Sequence, residues 1–424
     1  MIQKITTLIH YIIVIILLIL AINLKSPYLL WCRGYLFFVI VLILFGYSWY
    51  FSRFSKILLA LIAAVILIVG FNEVRFIIHK YKTLSSSNEI LKKLSPHIIV
   101  GYKNIEDVEQ LILKDAIAGI FITARNVEGK SYDQVKEEIA KLQKIRAFRK
   151  MPKLIITTDQ EGGIVSRLSP PLSKFPPLSS LSQLLEKQQI IEAQKYGERQ
   201  GQELSGLGID VNFSPVVDIK YNDEINPLDF HSLINQRSIS NDKSIVSNIA
   251  LAYVLGLEKH NVIATVKHFP GIGRVKNDTH HFGANLKTRR ELLEKTDWVP
   301  FKYILSKSNA FMMLSHVVAS DIDNSNQVSS SKIIINKIIR NEWKHDGILI
   351  TDDLTMNAIY GGKNGICKSS ILSLNAGVDF LLISYDFEKY YDVMYCLINS
   401  YLKNELDKNM LDKSQERISR QFFK

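Results

Sequence analysis

Three stretches of the sequence carry residues whose types and spacing could do chemistry. KHFPGIGRVKNDTHH (267–281) sets two lysines, an arginine, an aspartate and three histidines around a glycine-proline turn. Within it Asp278 and His280 lie two apart on a loop. A carboxylate that holds one imidazole nitrogen fixes the tautomer and raises the basicity of the other, which prepares a histidine for proton transfer. His268, Asp278, His280 and His281 could instead collect a metal ion, or the loop could simply be solvated. ITDDLTM (350–356) sets Asp352 at the end of an apolar run. Consecutive strand residues point to opposite faces, so only one of Asp352 and Asp353 can face a shared mouth. A carboxylate there can serve as a nucleophile or metal ligand, whereas Asp353 suits the N-cap of a following helix.

The third stretch, TTDQEGGIVSRL (157–168), places Asp159, Glu161 and a double glycine at the end of an apolar run, with Arg167 close behind. Glycines let backbone approach a ligand closely, and an aspartate with an arginine can hydrogen-bond several hydroxyls of a sugar ring. The plainer alternative is a tight turn carrying a salt bridge in water.

Such residues need elements to hold them. Eight short apolar runs read as strands: 97–102, 118–123, 153–159, 210–218, 263–269, 310–316, 347–353 and 378–384. Amphipathic stretches separate them, such as 135–148, where Val135, Ile139, Leu142, Ile145 and Phe148 recur at helical spacing. Eight buried strands, each followed by a helix, predict an α/β fold, a (β/α)8 TIM-type barrel. A doubly wound sheet is the alternative, but no G-x-G-x-x-G follows the first run. Barrel sites sit at the carboxyl ends of strands. Polar residues gather there: Asp159 and Glu161 after the third run, Asp218 after the fourth, Lys267 and His268 after the fifth, Ser315 and His316 after the sixth, and Asp352 and Asp353 after the seventh.

Together, D159-Q-E-G-G-x-V-x-R-L, K267-H-F-P-G-x-G, D278-T-H280 and IIRNEWKHDGILITDD (338–353) resemble the family 3 glycoside hydrolases, in the branch of β-N-acetylglucosaminidases that act on cell-wall fragments. AGIFITARN (118–126), GIDVNFSPVVDI (208–219), INQRSIS (234–240) and NAGVDFLLIS (375–384) extend the resemblance over about residues 96–420. It implies that Asp352 is the nucleophile, His280 the general acid/base and Asp278 its partner. It further implies that Asp159, Arg167, Arg237, Lys267 and His268 hold the N-acetylglucosaminyl unit of a glycan fragment, with no cofactor and no metal. One departure is visible: the family usually has a histidine between the glycines of P-G-x-G, where this chain has Ile272. Rival readings are a phosphorylase using the same residues, a membrane-tethered receptor for wall fragments without turnover, and a metal-dependent barrel hydrolase.

Ahead of the barrel the composition changes. Residues 5–24, 34–51 and 57–71 are nearly charge-free, and a helix needs roughly 20 apolar residues to cross a bilayer. Three membrane helices are expected, with a two-helix hairpin plus an interfacial segment as the fallback. The expected organisation is a transmembrane region over 1–82, a linker over 83–95 and the barrel over 96–424. Of the net charge of +11, residues 1–82 contribute +7, since eight basic residues there face Glu73 alone. That excess suits anionic headgroups and gives nucleic-acid binding little support. With three helices the N-terminus and barrel lie on opposite sides. Lys4, Arg53 and Lys56 on one side against Lys25, Arg33, Arg75, Lys80 and Lys82 on the other favour a cytoplasmic barrel. Cys32, Cys367 and Cys396 are widely spaced and suggest neither a disulfide framework nor a zinc site.

Overall fold

Each of the eight apolar runs contains a strand, and the eight strands close into one parallel barrel. The structure, a computed structural model, describes residues 2–51, 56–221, 229 and 231–423. Arg53, counted above among the loop charges, lies outside the described residues. The barrel strands are β1 (Ile98–Gly101), β2 (Gly119–Ile122), β3 (Ile155–Thr158), β4 (Val211–Asn212), β5 (Ile263–Phe269), β6 (Phe311–Leu314), β7 (Leu349–Asp353) and β8 (Phe380–Ile383). Strand β1 pairs with β2 through Ile99 and Gly119 and with β8 through Ile98 and Leu381, so the first and last strands complete the ring.

Alternation along the strands decides what fills the barrel. Phe311 and Met313 at β6, Ile348 and Ile350 at β7, and Phe380 and Leu382 at β8 are two apart. They share an inner cluster with Ile99, Phe121, Ile155, Val211 and Phe213. Phe121 stacks on Phe213 with ring centroids 5.6 Å apart. At the amino ends of the strands Phe422 meets Phe311 and Phe380 edge-on, at 5.9 and 6.3 Å, and plugs the floor. The same parity runs past the last apolar residue. Counting on by two from Ile155 reaches Asp159, on the inner side of the mouth, whereas β7 shifts its register against β8 between Ile350 and Asp353, so alternation alone does not choose between Asp352 and Asp353.

The chain forms two compact units, Met1–Ser85 and Ser86–Lys424. In the second, the helix Tyr132–Phe148 buries Val135, Ile139 and Leu142 as its spacing predicts. Phe148, counted with them, is instead 88% exposed. It ends the helix, beyond the packed turns, and Arg146 takes the buried place by pairing with Asp115 at 2.5 Å. Within the expected linker, residues Asn88–Leu94 form a helix capped by the Ser87 hydroxyl. The cysteine expectation is also corrected: Cys367 and Cys396 form a disulfide, with Cα atoms 5.7 Å apart. They lie on the helices Gly365–Ala376 and Lys389–Leu402 that flank β8 in sequence. Nothing in a separation of 29 residues announces that two helices will bring them together.

The first unit holds helices α1 (Ile2–Ile22), α2 (Arg33–Phe51) and α3 (Lys56–Leu84). Val14, Leu17, Ile40, Leu44, Leu58, Ile62 and Val65 make its core. Its outer surface is also apolar, with Ile12, Ile16, Phe38, Phe45, Leu67 and Phe71 exposed. Among the described residues α3 alone is long and apolar enough to cross a membrane. The apolar parts of the other two, Leu8–Ile22 and Arg33–Tyr47, are shorter than the three-span expectation supposes. At one end Lys25 pairs with Glu73 at 2.9 Å, and Arg33 donates to the carbonyls of Leu24, Lys25 and Ser26.

Candidate active site

The carboxyl ends of β3, β5 and β7 deliver the charged residues, and two loops complete the site. After β3 the chain makes a hairpin, Gln160–Gly162 against Val165–Ser166. Gly162 has φ +96° there, and a Cβ on it would lie 2.0 Å from the Tyr196 hydroxyl. The turn that presents Asp159 and Glu161 therefore requires glycine for both its backbone angle and its packing.

A buried ionic cluster results. Lys267 Nζ lies 2.8 Å from Asp159 and 2.6 Å from Glu161. Arg237 grips Glu161 with both arms, Nε to Oε2 at 3.0 Å and Nη2 to Oε1 at 2.6 Å. Burial opposes ionisation of Glu161, but Arg237 and Lys267 outweigh it and hold the carboxyl well below the usual carboxylate range. Among the described residues Lys267 is the ion-pair partner of the Asp159 carboxylate, and burial pushes that carboxyl up. Arg167 is exposed, and its charge reaches Asp159 without joining either ion pair.

Beside the cluster His268 sits on Asp218, Nδ1 to Oδ2 at 2.7 Å. Asp218 also accepts the amides of His268 and Ile272, at 3.0 and 2.7 Å. The strand end and the P-G-x-G turn are thereby fixed to one buried carboxylate. Ile272 itself is buried and apolar.

Farther along that loop the Asp278–His280 pair forms as its spacing predicts, with His280 Nδ1 2.8 Å from Asp278 Oδ1. Asp278 is buried and accepts the amides of His280 and His231 as well, at 2.9 and 2.7 Å. Burial opposes its ionisation, but these bonds and the imidazole win and hold it well below the usual range. The His280 ring remains 42% exposed.

Asp352 and Asp353 take different surroundings at the end of β7. Asp353 turns outward and binds the Thr355 and Ser384 hydroxyls, at 2.8 and 2.6 Å, and the Tyr385 amide. It ties β7 to the end of β8 rather than capping a helix, because the next helix, Asn357–Tyr360, begins after Met356. Asp352 faces the mouth. Burial opposes its charge, yet His268, His316 and His280 hold it below the usual carboxylate range, which places all three imidazoles within electrostatic reach. The loops that carry these residues are joined directly: the amides of Asn357 and Ala358 donate to the carbonyls of His280 and Thr279, at 3.1 and 3.3 Å.

All eight residues singled out in the sequence thus stand around one mouth, Arg167 at its rim. Glu161, Asp218 and His316 were visible only as polar residues at strand ends. Their work, pairing across 50 or more residues in the case of Asp218 and Glu161, has no local signature. His231, whose amide holds Asp278, carried no sequence signal.

Comparison with known proteins places this geometry. The Glycosyl hydrolase family 3 N terminal domain matches residues 86–421. A beta-hexosaminidase of Neisseria gonorrhoeae (strain NCCP11945) is 30% identical over 289 residues, covering 67% of this chain and 76% of the relative. Beta-hexosaminidase A of Pseudoalteromonas piscicida is 30% identical over 335 residues, covering 74% and 54%. Among solved structures, a glycoside hydrolase family 3 beta-N-acetylglucosaminidase from Paenibacillus sp. str. FPU-7 superposes with a TM-score of 0.71 at 28% identity, covering 78% of this chain. The chain spans 61% of the length of that structure.

Proposed function

The chain is a glycoside hydrolase belonging to glycosyl hydrolase family 3, and from that premise we propose that it removes terminal β-linked N-acetylglucosamine, from cell-wall-derived fragments, with retention of configuration. The observation that carries this reading is the meeting of Asp352 with the Asp278–His280 pair at one mouth, their loops joined by backbone hydrogen bonds.

The roles follow from the geometry. Asp352, held ionised by the imidazoles around it, attacks the anomeric carbon through an oxocarbenium-like transition state. His280 as imidazolium gives its proton to the departing oxygen. A glycosyl ester on Asp352 results, and neutral His280 then takes a proton from water as the ester opens. Asp278 holds Nδ1 throughout, so Nε2 carries the proton that moves. Asp159, Lys267, Arg237 and His268, with Arg167 at the rim, hold the sugar: Asp159 accepts from hydroxyls while the cations donate. No step calls on a metal or cofactor.

The apolar outer surface of the first unit and the length of α3 support a membrane anchor. For its side, the disulfide weighs against the loop charges. Disulfides persist in oxidising compartments, and two of the cations counted toward the barrel side are engaged, Lys25 by Glu73 and Arg33 by backbone carbonyls. The barrel is accordingly assigned to the oxidising, extracytoplasmic side. Whole cells treated with a membrane-impermeant maleimide after reduction test this: labelling of Cys367 and Cys396 only after lysis would reverse it.

The test of the reaction is hydrolysis of aryl β-N-acetylglucosaminide and aryl β-glucoside by the full-length protein in detergent, with and without phosphate. Faster turnover of the glucoside would sink the substrate assignment. A sugar 1-phosphate product would make the enzyme a phosphorylase.

A further inference from the structure

Asp278 has a second side that the proposed hydrolysis does not use. Its Oδ1 serves His280, while Oδ2 accepts the amides of His231 and Ser232, at 2.7 and 3.3 Å. On this side two more imidazoles converge, His281 Nε2 standing 2.6 Å from His231 Nδ1. One ligand atom from each of His231, Asp278 and His281 lies within 4.8 Å of the other two. The three come from two loops, about 50 positions apart in sequence.

Two imidazole nitrogens and a carboxylate oxygen are a donor set for a borderline divalent cation, Zn²⁺ above all. The surroundings suit an ion as well as a hydrogen bond. His231 is exposed, His281 half-buried and Asp278 buried, which gives an entry from solvent toward the charged ligand. The ligands are also held from behind. Asp229 accepts from the Ser232 hydroxyl and the Leu233 and Ile234 amides, and Asn357 Nδ2 donates to the His281 carbonyl at 2.6 Å. Such outer bonds orient metal ligands and sustain affinity. With Zn–N bonds near 2.0–2.1 Å and tetrahedral angles, the two nitrogens would stand about 3.3 Å apart. The pair must therefore open slightly, which the exposed His231 ring can do.

We propose that His231, Asp278 and His281 form a site for a borderline divalent cation, of which Zn²⁺ is the best fit, and that its occupation slows the enzyme. The second half rests on the reading of Asp278 and His280 as the acid/base pair. A cation on Oδ2 draws on the carboxylate that orients His280 and pins residues 278–281, so the loop can no longer adjust to a leaving group. The ion is a brake and takes no part in bond making or breaking.

The experiment uses full-length protein in detergent, without a polyhistidine tag and stripped by a chelator, titrated calorimetrically with ZnCl2 and separately with MgCl2. One Zn²⁺ per chain is expected, with no saturable heat from Mg²⁺. His231→Ala and His281→Ala should each weaken Zn²⁺ binding by ~10-fold or more, and Asp352→Asn should leave it unchanged. The site is overturned if the wild type shows no saturable binding, or if both histidine variants bind as it does. Hydrolysis of aryl β-N-acetylglucosaminide is followed in parallel. Zn²⁺ should slow the wild type, reversibly by chelator, and should not slow His231→Ala at the same concentration. Binding without slowing overturns the brake. If the protein hydrolyses neither aryl substrate with or without Zn²⁺, the hydrolase reading fails, while calorimetry still decides the site.

Discussion

Two histidine–aspartate pairs stand at the same mouth and differ in what surrounds them. In the His268–Asp218 pair the side chains are 7% and 0% exposed. Asp218 also holds two amides, and His268 Nε2 lies 3.4 Å from Arg237. In the His280–Asp278 pair the carboxylate is equally buried, but the ring is open to solvent. A ring engaged at both nitrogens can position a ligand and lock a strand end to its loop. A ring that is held by a carboxylate at one nitrogen and reaches solvent can carry a proton. Under the proposed mechanism the same two residue types serve placement in one case and proton transfer in the other, and burial of the imidazole separates them.

The comparison breaks most sharply through kinetics. Asp352→Asn should abolish turnover with every substrate and show no burst, since no ester can form. His280→Ala should lose about 10²–10⁴-fold on sugar leaving groups. With an activated aryl substrate it should release one rapid equivalent and then stall. His268→Ala should raise KM more than it lowers kcat. If His268→Ala gave the burst and His280→Ala did not, the two pairs would have to exchange roles.

Stability should divide the pairs in the opposite sense. His268→Ala removes a buried partner of Asp218 and should cost about 3 kcal/mol. His280→Ala, at a half-exposed ring, should cost less than about 1 kcal/mol. The difference is read as a shift in urea midpoint at constant slope. Ile272→His adds an imidazole beside Asp218, whose oxygens are already taken, so activity should change by less than about tenfold. A rise from undetectable to easily measured turnover would instead identify the natural chain as a receptor.

A third kind of histidine marks the limit of the contrast. Among the described residues no carboxylate bonds to the His345 ring, and burial, with Arg340 nearby, lowers it from 6.5 to about 4. The unfolded chain takes up a proton near 6.5 that the folded chain refuses until about 4. Its contribution to stability is therefore complete above the unfolded value and lost as pH falls between the two, with a slope approaching ~1.4 kcal/mol per pH unit. His345→Gln should flatten that part of the unfolding profile. The smallest effect is expected from removing residues 1–85, which belong to a separate compact unit. Turnover of small aryl substrates should persist, and loss of folding would show that the first unit supports the barrel.

How much of this was readable in the sequence depends on how local the cause is. Strands are written as short apolar runs, so all eight were found; that Asp352 and Asp353 would divide was legible too, but β7 shifts register between Ile350 and Asp353, so counting from Ile348 could not say which faces the mouth. Asp278 and His280 are two apart, so their pairing was also legible. Glu161 with Arg237, Asp218 with His268, and Cys367 with Cys396 meet only when neighbouring strand–helix units pack side by side, and no local pattern encodes that. Phe148 failed for a related reason. Helical spacing tells which face a residue takes, but where the neighbouring surface ends is a property of the whole fold.

Closure of the ring by β1 and β8, with Phe422 beneath it, also bears on how the chain is made. At ~5–20 residues per second, roughly 15–60 s separate the emergence of β1 from that of β8 at the ribosome. During that time the growing sheet has two open edges, each a row of unpaired backbone groups able to recruit another strand. The floor stays unplugged until residue 422 has been translated. A nascent barrel of this kind spends its early life as an adhesive surface, and its yield in a cell depends on what shields those edges until the two ends of the sheet meet.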